Sequence, residues 1–266
     1  MSPLLHVQAR VRTVFISDLH LGTRECQADR IATFLRRVEM DTLYLVGDVV
    51  DLWSMRRGIY WPAAHHDVLR VIMDKVRAGT RVIYVPGNHD ELARLLVGSV
   101  LAGVEVHEEC IHVTRDGRRM LVMHGDAFDA AVRFSPALKL IGGALYGMIL
   151  VANRPVNHVR TLLGMPRWSL VHWLKARVGN AMTYVHRFEQ AAAAAAAARN
   201  VDGIVCGHIH RPRVAQMNGI LYCNDGDWVE HCTALVEDRN GQLCIWDQLA
   251  MAAQPDAVGQ GLHKAA

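Results

Sequence analysis

"FISDLHLG", residues 15–22, begins like the end of a buried strand and finishes in an acid and an imidazole, Asp18 and His20. The period of a strand is two, so residues i and i+2 project to one face. On that reading Asp18 and His20 converge beyond the carboxyl edge of a sheet, where open α/β sheets keep their ligands. A carboxylate beside a neutral imidazole is the start of a divalent-metal site. One D-x-H alone is better read as a loop acid and a surface histidine, so the rest of the chain must decide.

Four more apolar runs end in the same kind of residue. "DTLYLVG" leads to Asp48, "RVIYVPG" to Asn88, "RMLVMHG" contains His124, and "VDGIVCG" leads to His208 and His210. These runs are strand-length and rich in β-branched residues, and each finishes at a glycine. Helix-like segments at 26–38 and 62–78 lie between the early ones, an alternation that predicts an α/β sandwich. Later, "GILYCND", "CTALVED" and "QLCIWDQ" read as antiparallel strands, with turns at Asn218-Gly219 and Asn240-Gly241. Residues 128–199 break the pattern and read as a helical insertion, or lid, within one domain spanning 1–266. The alanine run 191–198 is a strong helix former that returns the chain to the core. Residues 251–266 read as a flexible tail.

The bulk properties agree with a soluble globular enzyme. The chain has 266 residues, 51% hydrophobic and 21% charged, enough to bury a large core. A net charge of +3 is too small to argue for nucleic acid, though it leaves room for a local basic patch. The six cysteines include no C-x-x-C pair, which excludes a zinc ribbon or thioredoxin motif. They read as reduced thiols in a reducing cytosol. "MSPLLHVQARVRTV" has no long apolar stretch and no small-residue cleavage site, so a cytoplasmic chain is expected. The longest uncharged run, "LIGGALYGMILVAN" at 140–153, is too short to span a bilayer comfortably. It suits a membrane interface or a pocket wall.

Collected in order, the strand ends are "SDLHLG", "VGDVVD", "PGNHDE", "MHGD" and "CGHIH". Every one is rich in metal-ligand residues. Together they resemble the calcineurin-like metallophosphoesterase superfamily, whose pattern is D-x-H, G-D, G-N-H-D, H and G-H-x-H. The resemblance runs from residue 18 to 210. It implies a four-layer sandwich, two mixed β-sheets flanked by helices, with two metals at the strand ends. Asp18, His20, Asp48 and His210 are then the implied ligands of one metal. Asp48, Asn88, His124 and His208 are those of the other, with the catalytic Asp48 bridging. Such a donor set suits manganese, iron or zinc better than calcium, and manganese is the first expectation. A two-metal site can activate water against phosphorus at neutral pH, so no protein nucleophile is needed. The resemblance gives His89 a catalytic role, contacting the phosphate and helping the leaving group. Asp51 and Asp90 read as groups that orient histidines. For Asp90 a helix N-cap is an equal alternative.

Within that superfamily the chain resembles the UDP-2,3-diacylglucosamine pyrophosphatases. The resemblance rests on "ISDLHLG", "GDVVDLW", the run from "MHGD" into a helical insertion, and "NDGDWVEHCTALV". One departure stands out: the best-known branch has Arg where this chain has His89. A general metallophosphoesterase acting on another nucleotide or phospholipid-like substrate is therefore the alternative. In the insertion Phe134, Leu138, Leu145 and Ile149 supply apolar surface, and Arg133, Lys175 and Arg177 supply cations. With Asn88, His89 and Asp129, those three cations are the candidate substrate contacts. An apolar groove with a basic rim suits an acylated, phosphorylated substrate at an anionic membrane. The expected partners are a nucleotide-lipid substrate and, through the lid, the cytoplasmic face of a membrane. An inserted lid argues against a protein phosphatase, which needs an open surface.

Overall fold

The computed structural model describes residues 9–130 and 179–248. The chain divides into two compact units, one of residues 1–126 and 193–266 and one of residues 127–192.

The first unit is built on two mixed sheets. In the larger, β1 (Ala9–Ile16), β2 (Val38–Val46) and β3 (Arg81–Val85) run parallel, and β4 (Val100–Leu101) and β5 (Val104–Val106) extend one edge. The smaller sheet has β6 (Cys110–Val113), β7 (Arg119–Val122), β8 (Gly203–Cys206), β9 (Arg213–Met217) and β10 (Ile220–Asn224), in the order β6-β7-β8-β10-β9. Its central strands β7, β8 and β10 are parallel. The antiparallel strands β11 (Thr233–Glu237) and β12 (Leu243–Asp247) return to the larger sheet beside β1.

Burial explains why these runs are strands. Val14 and Ile16 of β1 pack among helix residues of α1 (Ala28–Arg37) and α3 (Ala63–Arg77), which are separated by the single turn α2 (Leu52–Met55). Ile31 and Leu35 of α1 and Val68 and Ile72 of α3 lie in that cluster. Phe15, between Val14 and Ile16, points the other way. It joins Tyr44, Val46 and Ile83 against Met120, Val122 and Val205 of the smaller sheet. A strand covered on both faces must be apolar throughout, so "TVFI" and "LYLV" show no alternation.

Several expectations are met and several need correction. The helices at 28–37 and 63–77 fall inside the expected segments, and both Asn-Gly turns join antiparallel strands. Asn218 and Gly219 both have positive φ, 50° and 84°, as a two-residue hairpin turn requires. β10, however, pairs with β8 and β9 and not with β11, which lies in the other sheet. Asp18 and His20 also lie past the end of β1, in left-handed backbone. Strand period is therefore not what brings them together.

Of the proposed lid, the second unit shows a 3₁₀ turn at Asp126–Ala130 and part of the 20-residue α4 (Gly179–Ala198), which contains the alanine run. Phe128 meets Phe188 edge-on at 5.5 Å between ring centroids. The remainder of the insertion, including Arg133, Phe134, Leu138, Leu145, Ile149, Lys175 and Arg177, lies outside the described residues, as does the tail 251–266.

Candidate metal centre

Three parallel strands of the larger sheet and two of the smaller deliver their carboxyl ends to one place. β1, β2 and β3 end at Ile16, Val46 and Val85, and β7 and β8 end at Val122 and Cys206. Just beyond them come Asp18–His20, Asp48, Asn88–His89, His124 and His208–His210. His210 Nε2 lies 2.9 Å from Asp18 Oδ1, and His20 Nε2 lies 3.7 Å from the same oxygen. Asp48 Oδ2 is 3.4 Å from His124 Nε2 and 3.9 Å from His20 Nε2. The His124 and His208 rings are 5.2 Å apart. Two sets of donors, Asp18/His20/His210 and Asp18/Asp48/His124, each have their ligand atoms within 4.8 Å of one another.

The backbone reaches this arrangement through strain. Asp18, His20, Asp48, His208 and His210 all have φ between 49° and 68°. Left-handed backbone costs a non-glycine residue about 1 kcal/mol or more, with Asp and His more tolerant than most. Five such residues in one place persist because the loops are tied together. Asp18 N–H donates to Gly47 O and His20 N–H to Asp48 O. The Asp90 carboxylate accepts from Gly87 N (2.6 Å) and Val49 N (2.7 Å), joining the loops after β2 and β3. A side chain at Gly87 would strike the Asp48 carboxylate and the His124 ring. Only glycine lets the third strand end approach so closely.

His124 and His20 are aimed by their outer nitrogens. His124 Nδ1 lies 2.8 Å from Val46 O, so Nδ1–H donates there and Nε2 is left facing Asp48. Asp51 Oδ2 lies 3.1 Å from His20 Nδ1 and 2.9 Å from His89 Nδ1. One carboxylate therefore faces two histidines: it bonds His20 Nδ1, turning Nε2 toward the aspartates, and lies against His89 Nδ1 without a well-directed hydrogen bond, with His89 Nε2 within 4.0 Å of Asp48 Oδ2.

The electrostatics call for cations. Burial alone would raise the Asp18 carboxyl, yet His210 and His20 hold it well below the usual carboxylate range. Burial would lower His124, but the carboxylate of Asp48 pushes it up to about 10. Asp18 Oδ1, His20 Nε2, Asn88 Oδ1 and His124 Nε2 are buried without a well-directed hydrogen bond, and so is His210 Nδ1. Buried polar atoms are ordinarily satisfied, so a cluster of bare ones requires a partner. Two donors each about 2.0–2.2 Å from a shared cation lie about 3–3.6 Å apart. The 3.4 Å and 3.7 Å separations are close to that spacing. The residues present fit divalent cations.

The calcineurin-like phosphoesterase family model matches residues 11–212. The chain belongs to the calcineurin-like phosphoesterases. Family and donor groups together point to a dimetal site. Among solved structures, the phosphoesterase is similar to an archaeal phosphodiesterase, at 12% identity over 88% of this chain and 98% of that one, TM-score 0.41. It is also similar to the phosphoesterase Yfce of E. coli, at 14% over 88% and 98%, TM-score 0.43. A third is the phosphopantetheinyl hydrolase of Mycobacterium tuberculosis, at 15% over 84% and 92%, TM-score 0.40. A search of curated proteins gives no match.

Some expected residues take other roles, and some participants were not foreseen. Asp90 neither orients a histidine nor caps the following 3₁₀ turn with its side chain; it binds backbone N–H groups. Asp51 orients His20, lies against His89 and also caps α2, accepting from Ser54 N at 2.7 Å. Asp129, which stays a candidate substrate contact, accepts from the Tyr184 hydroxyl at 2.7 Å within the second unit. Behind Asp18 lies an unforeseen relay: Ser17 Oγ is 2.7 Å from Asp18 Oδ2 and 2.6 Å from Asp225 Oδ1. One hydroxyl hydrogen cannot serve both acids. Burial pushes the Asp225 carboxyl well up, which favours its neutral form beside Ser17. The "NDGD" after β10 was the available signal, another strand end loaded with polar groups.

Proposed function

We propose that this phosphoesterase hydrolyses the pyrophosphate bond of UDP-2,3-diacylglucosamine, giving UMP and 2,3-diacylglucosamine 1-phosphate, with two manganese ions. As a calcineurin-like phosphoesterase it is a metal-dependent hydrolase of phosphoesters. The observation that carries the mechanism is the set of bare, buried donors contributed by separate strand ends. Asp18, His20, Asp48 and His210 would hold one cation and Asp48, Asn88, His124 and His208 the other. Two such cations supply an activated water and charge for the phosphoryl oxygens. Around them the chain's own residues position and protonate. Asp48, with Oδ2 3.4 Å from His124 Nε2 and 3.9 Å from His20 Nε2, would be shared by the two cations, and it fixes the His89 backbone through its Oδ1, 2.8 Å from His89 N. His89, held at Nδ1 by Asp51, presents Nε2 to donate a hydrogen bond to a phosphoryl oxygen or a proton to the departing group.

The lipid-bearing substrate is supported by the sequence resemblance and by apolar exposure near the site. Trp53 (42% exposed) in α2 and Ile59 (79%) follow the Asp48 loop, and Leu92 (52%) and Leu95 (83%) follow the Asn88–His89 loop, the two segments being joined by the Leu52 N to His89 O hydrogen bond. Such residues suit acyl chains at the cytoplasmic face of a membrane. No described helix is long and apolar enough to cross one. The second reading, a phosphodiesterase for another nucleotide, is favoured by His89 standing where the best-known branch has Arg. The test is hydrolysis of UDP-2,3-diacylglucosamine, a deacylated UDP-sugar and bis(p-nitrophenyl) phosphate with added manganese. A strong preference for the acylated substrate is expected. Equal rates on the two UDP-sugars would leave the broader phosphodiesterase.

A further inference from the structure

We propose that Trp53 is the platform on which the base of a nucleoside phosphate stacks, beside the phosphoryl position. The proposal rests on the phosphohydrolase reading of the site and adds where the planar part of the substrate lies. Among the described tryptophans, Trp53 alone is exposed; Trp228 is fully buried, and Trp61 and Trp246 are intermediate. The Trp53 ring lies 4.5 Å from the His89 ring at an interplanar angle of 35°, so it borders the group aimed at the phosphoryl oxygens. The turn that carries it is also tied down. Asp51 Oδ1 caps its turn while Asp51 Oδ2 holds His20 and His89, and Leu52 N–H donates to His89 O.

An exposed indole has apolar surface left to bury, and a fixed one loses little freedom when a ring covers it. The neighbouring cations fit a phosphorylated ligand. Arg56 and Arg57 follow on the same loop, both exposed, and Arg56 is only loosely tied, 3.9 Å from Glu91. A nucleoside phosphate matches the group as a whole, with phosphate at the strand ends, base on the indole and guanidinium groups at the rim.

The test compares UMP with ribose 5-phosphate, which keeps sugar and phosphate and lacks the base. Their affinities for the full chain with manganese are measured by isothermal titration calorimetry. UMP should bind about tenfold more tightly or better, the usual order for one base on one aromatic ring. Trp53→Ala should erase that advantage and Trp53→Phe should retain most of it. Equal affinities in the wild type, which needs no variant, would overturn the proposal. So would full discrimination in Trp53→Ala, including the case where that variant only slows turnover of every substrate by loosening His89. If ribose 5-phosphate binds and UMP binds no better, the platform fails while the phosphohydrolase reading stands. If neither binds, that reading fails and the platform with it.

Discussion

Asp48 sits where the two halves of the strand-end cluster meet, its carboxylate near both His20 and His124. Asp48→Asn keeps the shape and tolerates the left-handed backbone but removes the shared charge. It should lower bound divalent-metal content by elemental analysis and abolish turnover with an unchanged far-UV spectrum. His89 is different because its ring is held by Asp51 and faces the reacting position. His89→Ala should keep near-normal metal content while slowing hydrolysis about 10²- to 10⁴-fold. Parallel loss of metal would make it a ligand instead. Asp51→Asn should do some of both, weakening metal binding about 10- to 100-fold through His20 and slowing turnover through His89. The candidate ligands were legible because each follows an apolar run, where a lone acid or imidazole has no packing reason to be. The means of convergence was not. Period-two geometry was the wrong argument for Asp18 and His20, because left-handed backbone is set by hydrogen bonds to Gly47 and Asp48. Asp90 could not be read either, since Val49 N is 41 residues away in sequence.

At the scale of elements, strands buried on both faces announced themselves as continuous apolar runs. Short or exposed strands did not: Val100 and Leu101 of β4 are both exposed, and β9 reads "RVAQM". Nor did sequence reveal the polar contact that joins the sheets away from the site. Glu237 on β11 is fully buried as a side chain and accepts from Thr13 Oγ1 on β1, His112 Nε2 on β6, Arg12 Nη1 and Arg115 N. Burial would raise this carboxyl, but these donors outweigh it and hold it at about 2, against 4.5 for a free glutamate. A depressed folded-state pKa means stability that is complete above about pH 4.5 and lost as pH falls toward 2. About 3 kcal/mol is at stake. Urea unfolding of the wild type and Glu237→Gln at pH 7 and pH 3 measures it. The wild type should lose more stability on acidification than the variant; equal losses would mean the pairings contribute nothing.

For the molecule as a whole, the site is a seam. Asp18, Asp48 and Asn88 follow strands of the larger sheet, and His124, His208 and His210 follow strands of the smaller. Cations bound across that seam would favour the folded state, since the unfolded chain has no equivalent site. At a manganese concentration of 100 times Kd the linkage contributes about 2.7 kcal/mol per site. The midpoint of thermal unfolding should therefore rise by about 5 to 10 °C, fall back on chelation, and barely move in Asp48→Asn. The fold class was legible at this scale from the alternation of strand and helix. The division of late strands between two sheets was not, because β10 and β11 are similar apolar runs whose partners are chosen by packing. The most direct test of the account is a manganese-soaked crystal measured for anomalous scattering. Two peaks about 3.5–4 Å apart are predicted, enclosed by Asp18, His20, Asp48, Asn88, His124, His208 and His210. A single peak, or peaks away from these side chains, would contradict it.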